Sequence, residues 1–164
     1  MLYVVMLGGK HPKANIEVHD VVFVRGNNLA DCYQSLRDQW FGSPEGLHID
    51  AWMAVDGVDE YQVRFSQQAP ASGEMRLYFL NLGGYQGNDF AEEHRYLLVV
   101  APDKTIAKQL GKQRMHPQWH KSHTDRLLDV DDCIEIDCLD GRYIQLCKGQ
   151  HSGITQQNDY IVLS

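Results

Sequence analysis

Apolar residues run almost unbroken from Leu2 to Leu7 and stop at Gly8-Gly9, which predicts a strand buried on both faces rather than one with a wet side. A polar loop containing Pro12 follows. Glu17 to Val24 then ends in Val21-Val22-Phe23-Val24, a second strand. Beyond Gly26-Asn27, the residues Leu29, Cys32, Tyr33, Leu36 and Trp40 recur every three or four positions. That spacing predicts an amphipathic helix over Leu29 to Trp40, with Asn28 as its N-cap and Gly42-Ser43-Pro44 as its stop. His48 to Val55 and Glu60 to Phe65 read as two strands around an Asp56-Gly57 turn. The order is β-β-α-β-β.

The chain then writes this pattern again. Leu2-Tyr3-Val4-Val5-Met6-Leu7-Gly8-Gly9 returns as Leu77-Tyr78-Phe79-Leu80-Asn81-Leu82-Gly83-Gly84, 75 positions on. The same offset pairs Glu17 with Glu92, His19 with His94 and Val24 with Val99, eight identities over 23 positions where chance gives about one or two. Leu36 answers Leu110, Trp40-x-x-Ser43 answers Trp119-x-x-Ser122, and Ile49-Asp50 answers Val130-Asp131. Strands are expected near Leu77 to Leu82 and His94 to Val100. A helix is expected over Lys104 to Arg114, and a hairpin from Cys133 to Cys147 turns at Asp140-Gly141. A last short strand spans Tyr160 to Leu163. The expected fold is α+β, an internal duplication of a β-β-α-β-β module with its halves packed about a pseudo-twofold axis. Residues 1–68 form the first module, 69–74 the linker, and 75–164 the second module with the C-terminal strand, together one compact unit.

Composition narrows the class. At 164 residues, 43% hydrophobic and 23% charged, the chain is of ordinary globular make-up. A net charge of −7 argues against nucleic acid and anionic membranes as partners. No apolar run approaches the ~20 residues of a membrane helix, and no basic segment precedes the first apolar run, so a soluble cytoplasmic chain is expected. Cys32, Cys133, Cys138 and Cys147 make no CxxC pair and read as reduced thiols. Cys138 shares strand parity with Ile134 and Ile136 and is expected in the core, with Cys133 on the opposite face.

The polar residues that recur between the halves are the candidates for chemistry. On a strand, positions i and i+2 share a face, so Glu17 points with His19 and Glu92 with His94. A carboxylate beside an imidazole can fix its tautomer or act with it in general acid–base work. Gly8-Gly9 and Gly83-Gly84 could present bare backbone to a ligand. The plainer alternative gives the glycines a tight exit with positive φ and the Glu-x-His pairs a backbone to satisfy. His116, His120 and His123 fall close enough to supply three imidazoles to zinc, although Pro117 leaves His116 outside any helix. His48-x-Asp50 is a further pair on one face, but only its aspartate recurs. Asp129, Asp131, Asp132, Glu135, Asp137 and Asp140 read as a wet face and turns, or as donors to a hard cation. Phosphate-binding loops and nucleophile elbows are missing from the sequence.

Two stretches carry a family likeness. Leu2 to Val24, with Ile16-Glu17-Val18-His19-Asp20-Val21-Val22-Phe23-Val24, and Gln39-Trp40-Phe41-Gly42 with His48-Ile49-Asp50-Ala51-Trp52-Met53-Ala54-Val55-Asp56-Gly57-Val58, resemble a bacterial domain-of-unknown-function family. The resemblance implies proteins built from one or two copies of this module. It implies no activity, substrate or catalytic residue. Asn81, Tyr85 and Arg95 depart from the first-half pattern.

Two functional readings follow. The first is a small binding or scaffold protein without catalysis, its partner a small molecule, a protein or a second copy paired through the terminal strand. The alternative is an acid–base or metal-assisted enzyme using the Glu-x-His pairs in a cleft between the modules. No motif calls for a cofactor, and a divalent metal is the one candidate.

Overall fold

A computed structural model describes residues 1–84, 90–114 and 129–164. Its strands are β1 (Leu2–Gly9), β2 (Val18–Arg25), β3 (His48–Val55), β4 (Gly57–Val58), β5 (Tyr61–Ser66), β6 (Arg76–Gly84), β7 (Glu93–Ala101), β8 (Asp129–Glu135), β9 (Cys138–Leu139), β10 (Arg142–Lys148) and β11 (Ile154–Val162). Among the described residues two α-helices, α1 (Tyr33–Gln39) and α2 (Lys104–Gln113), join the strands in an α+β fold. None of the described helices is long and apolar enough to cross a membrane. His116, His120 and His123 lie outside the described residues.

The chain divides into two compact units. Unit 1 comprises Met1–Arg64, Leu139–Gly141 and Cys147–Ser164, and unit 2 comprises Phe65–Cys138 and Arg142–Leu146. The last stretch of the chain thus falls in unit 1, apart from the module that precedes it in sequence. There β11 pairs antiparallel with β3, and it is longer than the expected Tyr160 to Leu163.

In unit 1 the sheet order is β11-β3-β1-β2. The apolar run of β1 takes the place its composition suits, hydrogen-bonded on both sides, with seven of its eight residues buried. Tyr3, Val5 and Leu7 pack with Val22, Val24, Leu36, Ile49 and Leu163 into one core. The predicted helix begins as a 3-10 turn over Ala30–Cys32 before α1, with Asn28 Oδ1 accepting the Asp31 N–H at 3.1 Å. Leu36 is fully buried, a contribution of about 1.5–3 kcal/mol for a leucine. In unit 2 the order is β7-β6-β8. Here β6 is the buried central strand and α2 packs on β6, β7 and β8. Asp103 Oδ1 caps α2 by accepting the Ile106 N–H at 2.9 Å.

Local expectations change at two places. The hairpin after β3 turns at Asp59, whose φ is +56°, and not at Asp56-Gly57. Asp56 instead docks on a later loop, donating its N–H to Gly153 O and accepting the Ser152 N–H. Asp140-Gly141 does turn as expected, both residues having positive φ. The cysteine assignment reverses: Cys133 is buried and Cys138 exposed. Strand β8 ends at Glu135, so alternation cannot be counted across to Cys138, and Cys133 sits opposite buried Leu80 in the ladder.

Candidate metal centre

Because β1 lies between β2 and β3, Gly8 has a neighbour on each side: His19 in β2 and His48 in β3. One strand on, the register slips. Leu7 faces Ile49 and Met6 faces Ala51, leaving Asp50 as the extra residue of a β-bulge. Bulges re-aim side chains, and this one brings Asp50 between the two imidazoles. Strand β11 breaks register at the same place, and the Tyr160 ring packs on His48 with centroids 4.3 Å apart.

Four side chains therefore converge above Gly8. His19 Nε2 is 3.2 Å from Glu17 Oε1 and 3.2 Å from Asp50 Oδ2. His48 Nε2 is 3.6 Å from Glu17 Oε1 and 3.3 Å from Asp50 Oδ1. Donors held 2.0–2.1 Å from a tetrahedral zinc are about 3.3 Å from one another, so these separations are compatible with a ligand set as well as with histidine–carboxylate pairs. Asp50 turns one oxygen to each imidazole. The absent side chain at Gly8 makes the room: a Cβ there would collide with Asp50 Oδ2 and lie 2.6 Å from His48 Nε2.

His48 is the informative member. It is 2% exposed, and its Nδ1 lies 2.7 Å from Gly46 O. The tautomer that donates Nδ1–H to that carbonyl leaves the Nε2 lone pair facing the carboxylates, the arrangement of metal-bound histidines. Despite the short separations, neither His48 Nε2 nor Asp50 Oδ2 gains an aligned hydrogen bond, and both atoms are buried. Such atoms carry a desolvation cost unless something else binds them. His19 and Glu17, each with 48% of its side chain exposed, form the open side. Beside Glu17 is a cavity of about 380 Å³, lined also by Lys10, His11, Ile16 and Ser43.

Unit 2 has a similar ladder around Gly83 and a smaller cluster. Gly83 stands opposite His94 on β7 and Asp129 on β8, and a slip beside Asn81 leaves Asp131 as the bulged residue. Donor atoms of Glu92, His94 and Asp131 lie within 4.8 Å of one another, as do those of Glu17, His48 and Asp50. A Cβ on Gly83 would collide with Asp131 Oδ2 and lie 2.6 Å from Glu92 Oε1. His94 Nδ1 is 3.0 Å from Asn81 Oδ1 and 3.5 Å from Asp131 Oδ2.

Each Glu-x-His pair is thus joined by partners from its own unit. Gly8 and Gly83 serve as cradles, and no positive φ is recorded at either. Gly9 packs against Trp40, and Gly84 stands opposite Glu93, outside the cluster. His48 escapes a search for repeated residues because Asp129 replaces it in unit 2. The repeated Asp50/Asp131 was the visible signal for the bulge. The buried thiols are poor nucleophiles: burial, helped by Asp31, pushes Cys32 up to about 11, and burial also raises Cys133.

A family model described as Domain of Unknown Function (DUF1543) matches residues 14–65, the stretch holding Glu17, His19, His48 and Asp50. The crystal structure of a protein Il1583 from Idiomarina loihiensis is 32% identical and superposes with a TM-score of 0.73, covering 99% of this chain and 97% of that one. No curated protein matches.

Proposed function

We propose that this chain, which belongs to the family described as Domain of Unknown Function (DUF1543), is a metal-binding protein that holds a zinc-class divalent ion in unit 1 through Glu17, His19, His48 and Asp50. The observation that carries this is His48: a buried imidazole oriented by Gly46 O, with an unpartnered Nε2 among three other donors. A scaffold role alone would be content with histidines satisfied by backbone. Two imidazoles with two carboxylates suit zinc and its first-row neighbours better than calcium or magnesium. The module is read as an internal duplication, supported by the matching ladders around Gly8 and Gly83; a pseudo-twofold axis is the packing expected of it. The four free cysteines suit a reducing, cytoplasmic setting.

A second reading, metal-assisted catalysis on a small molecule, is favoured by the cavity beside Glu17. An exposed carboxylate on its wall could leave the metal and act as general base. A homodimer through β11 draws support from that strand's exposed Ile154, Tyr160 and Val162.

The test is elemental analysis of untagged protein, followed by zinc titration under thermal unfolding. Near-stoichiometric zinc, and stabilisation of about 2.7 kcal/mol at a hundred times Kd, are expected. His19→Ala and Asp50→Asn should remove that stabilisation. Zinc that neither binds nor shifts unfolding sinks the proposal.

A further inference from the structure

We infer that Tyr160 is a positioning residue of the unit 1 site: its ring holds His48 with Nε2 turned to the metal, and occupancy of the site in turn tightens β11 over it. The inference rests on reading the unit 1 cluster as a metal centre, but its own evidence lies in how β11 is built.

Strand β11 is pinned at both ends and interrupted in the middle. Just before it, Gly153 O accepts the Asp56 and Gly57 N–H groups, and the Ser152 N–H donates to Asp56 Oδ2. Just after it, buried Leu163 donates its N–H to Leu47 O and accepts the Arg37 Nε–H at 2.6 Å. Between these anchors Asn158 faces Ala51, and pairing resumes with Ile161 facing Ile49. Asp159 and Tyr160 thus stand against a single residue of β3, and that residue is Asp50, the bulged donor. The coincident irregularities place the Tyr160 ring on His48, with centroids 4.3 Å apart and planes inclined by 33°.

Two contacts then set where His48 Nε2 points. The bond from Nδ1 to Gly46 O fixes one edge of the imidazole, and the tyrosine ring fixes one face. Tyr160 is itself 66% exposed, so its ring does little for the core and its main contact is with a buried, unpartnered donor. A bound cation draws charge from the imidazole, and the negative face of a phenol ring favours such an electron-poor neighbour. The ring contact is therefore stronger with the site filled. By reciprocity, whatever Tyr160 adds to metal affinity the metal adds to the hold of β11 on β3. In unit 2 both features are absent together: Asp129 stands in the place of His48, and among the described residues the sheet ends at β8.

The experiment is competitive titration of Zn²⁺ into the full-length parent, Tyr160→Phe and Tyr160→Ala chains, with the visible spectrum of the Co²⁺ forms and hydrogen exchange of β11 as further readouts. Tyr160→Phe keeps the ring and should bind as the parent does. Tyr160→Ala should bind at least roughly tenfold more weakly and shift the Co²⁺ bands, while its metal-free resistance to urea is little changed, as befits an exposed side chain. Zinc should slow exchange of the β11 amides in the parent and in Tyr160→Phe but not in Tyr160→Ala. Parent and Tyr160→Ala chains that bind zinc equally overturn the inference and leave the metal centre standing. Affinity lost in Tyr160→Phe as well, or lost only in step with metal-free stability, also overturns it. A parent chain that takes no zinc refutes the metal centre and this inference with it.

Discussion

The two clusters sit beside similar strand ladders and differ in their imidazoles, His19 and His48 in unit 1 and His94 in unit 2. In unit 1, His48 is enclosed, with Tyr160 of β11 over its ring and Gly46 O on its far nitrogen. In unit 2 the imidazole is His94, partly exposed and braced by Asn81. The counterpart of His94 is His19, itself half exposed, so the fourth strand accounts only for the enclosure of His48, whose place in unit 2 is taken by Asp129. Strand β11 adds to β3 in unit 1, whereas the described sheet of unit 2 ends at β8. Burying a nitrogen donor makes it depend on a partner for its lone pair, while an exposed one has water. A shared ladder therefore need not mean a shared ligand.

The contrast can be broken most strongly through the cores beneath the clusters. Leu36 in α1 is fully buried, while its sequence counterpart Leu110 in α2 is only partly so. Leu36→Ala is expected to cost about 2–5 kcal/mol and Leu110→Ala about half that, measured by urea unfolding. Equal losses would mean that the two helices are anchored alike.

The cradles come next. A Cβ at residue 8 presses on His48, which is walled in and cannot retreat. Gly8→Ala should cost about 1–3 kcal/mol and abolish zinc binding. At residue 83 the atoms met belong to Asp131 and Glu92, whose carboxylates can swing outward, so Gly83→Ala should cost about 1 kcal/mol or less. A reversed order would show that the enclosure around His48 yields more readily than its burial indicates.

The smallest effect is confined to unit 1 and to acid. The Ser152 backbone N–H, with help from the Ser152 hydroxyl, Gln62 and His151, holds the Asp56 carboxyl below its ordinary range. Its folded pKa is thus the lower one. The stabilisation is fully present above the unfolded carboxyl value of about 3.9 and is lost as pH falls through the folded value. Asp56→Asn should flatten the acid limb of stability against pH and leave its shape above pH 5 unchanged. An acid limb as steep as that of the parent chain would place its origin elsewhere.

Much of the architecture was legible because it follows from local pattern. The buried run Leu2–Leu7 had to be a central strand, since it has no polar face to give to water. The apolar run Leu77–Leu82 is central for the same reason, and the period of Leu29, Cys32, Leu36 and Trp40 placed the first helix. Parity counting failed at Cys133 and Cys138 because it assumes an unbroken strand. The turn after β3 was misplaced because Asp56-Gly57 has suitable turn chemistry, while Asp59 was the residue that took positive φ. For the site, repetition singled out Glu17, His19, Glu92, His94 and the glycines. It ranked His48 low, because what makes His48 informative is its enclosure rather than its recurrence.

By itself, then, the sequence determined the α+β class, the strongly apolar central strands, the helices that follow β2 and β7, and the Glu-x-His pairs, all of which depend on neighbours a few residues apart. Only the tertiary structure decided that Gly8 lies between His19 and His48, that a bulge carries Asp50 to them, and that β11 returns to cover the site. Those facts depend on ladder register and on a strand more than a hundred residues away, where local periodicity has no reach.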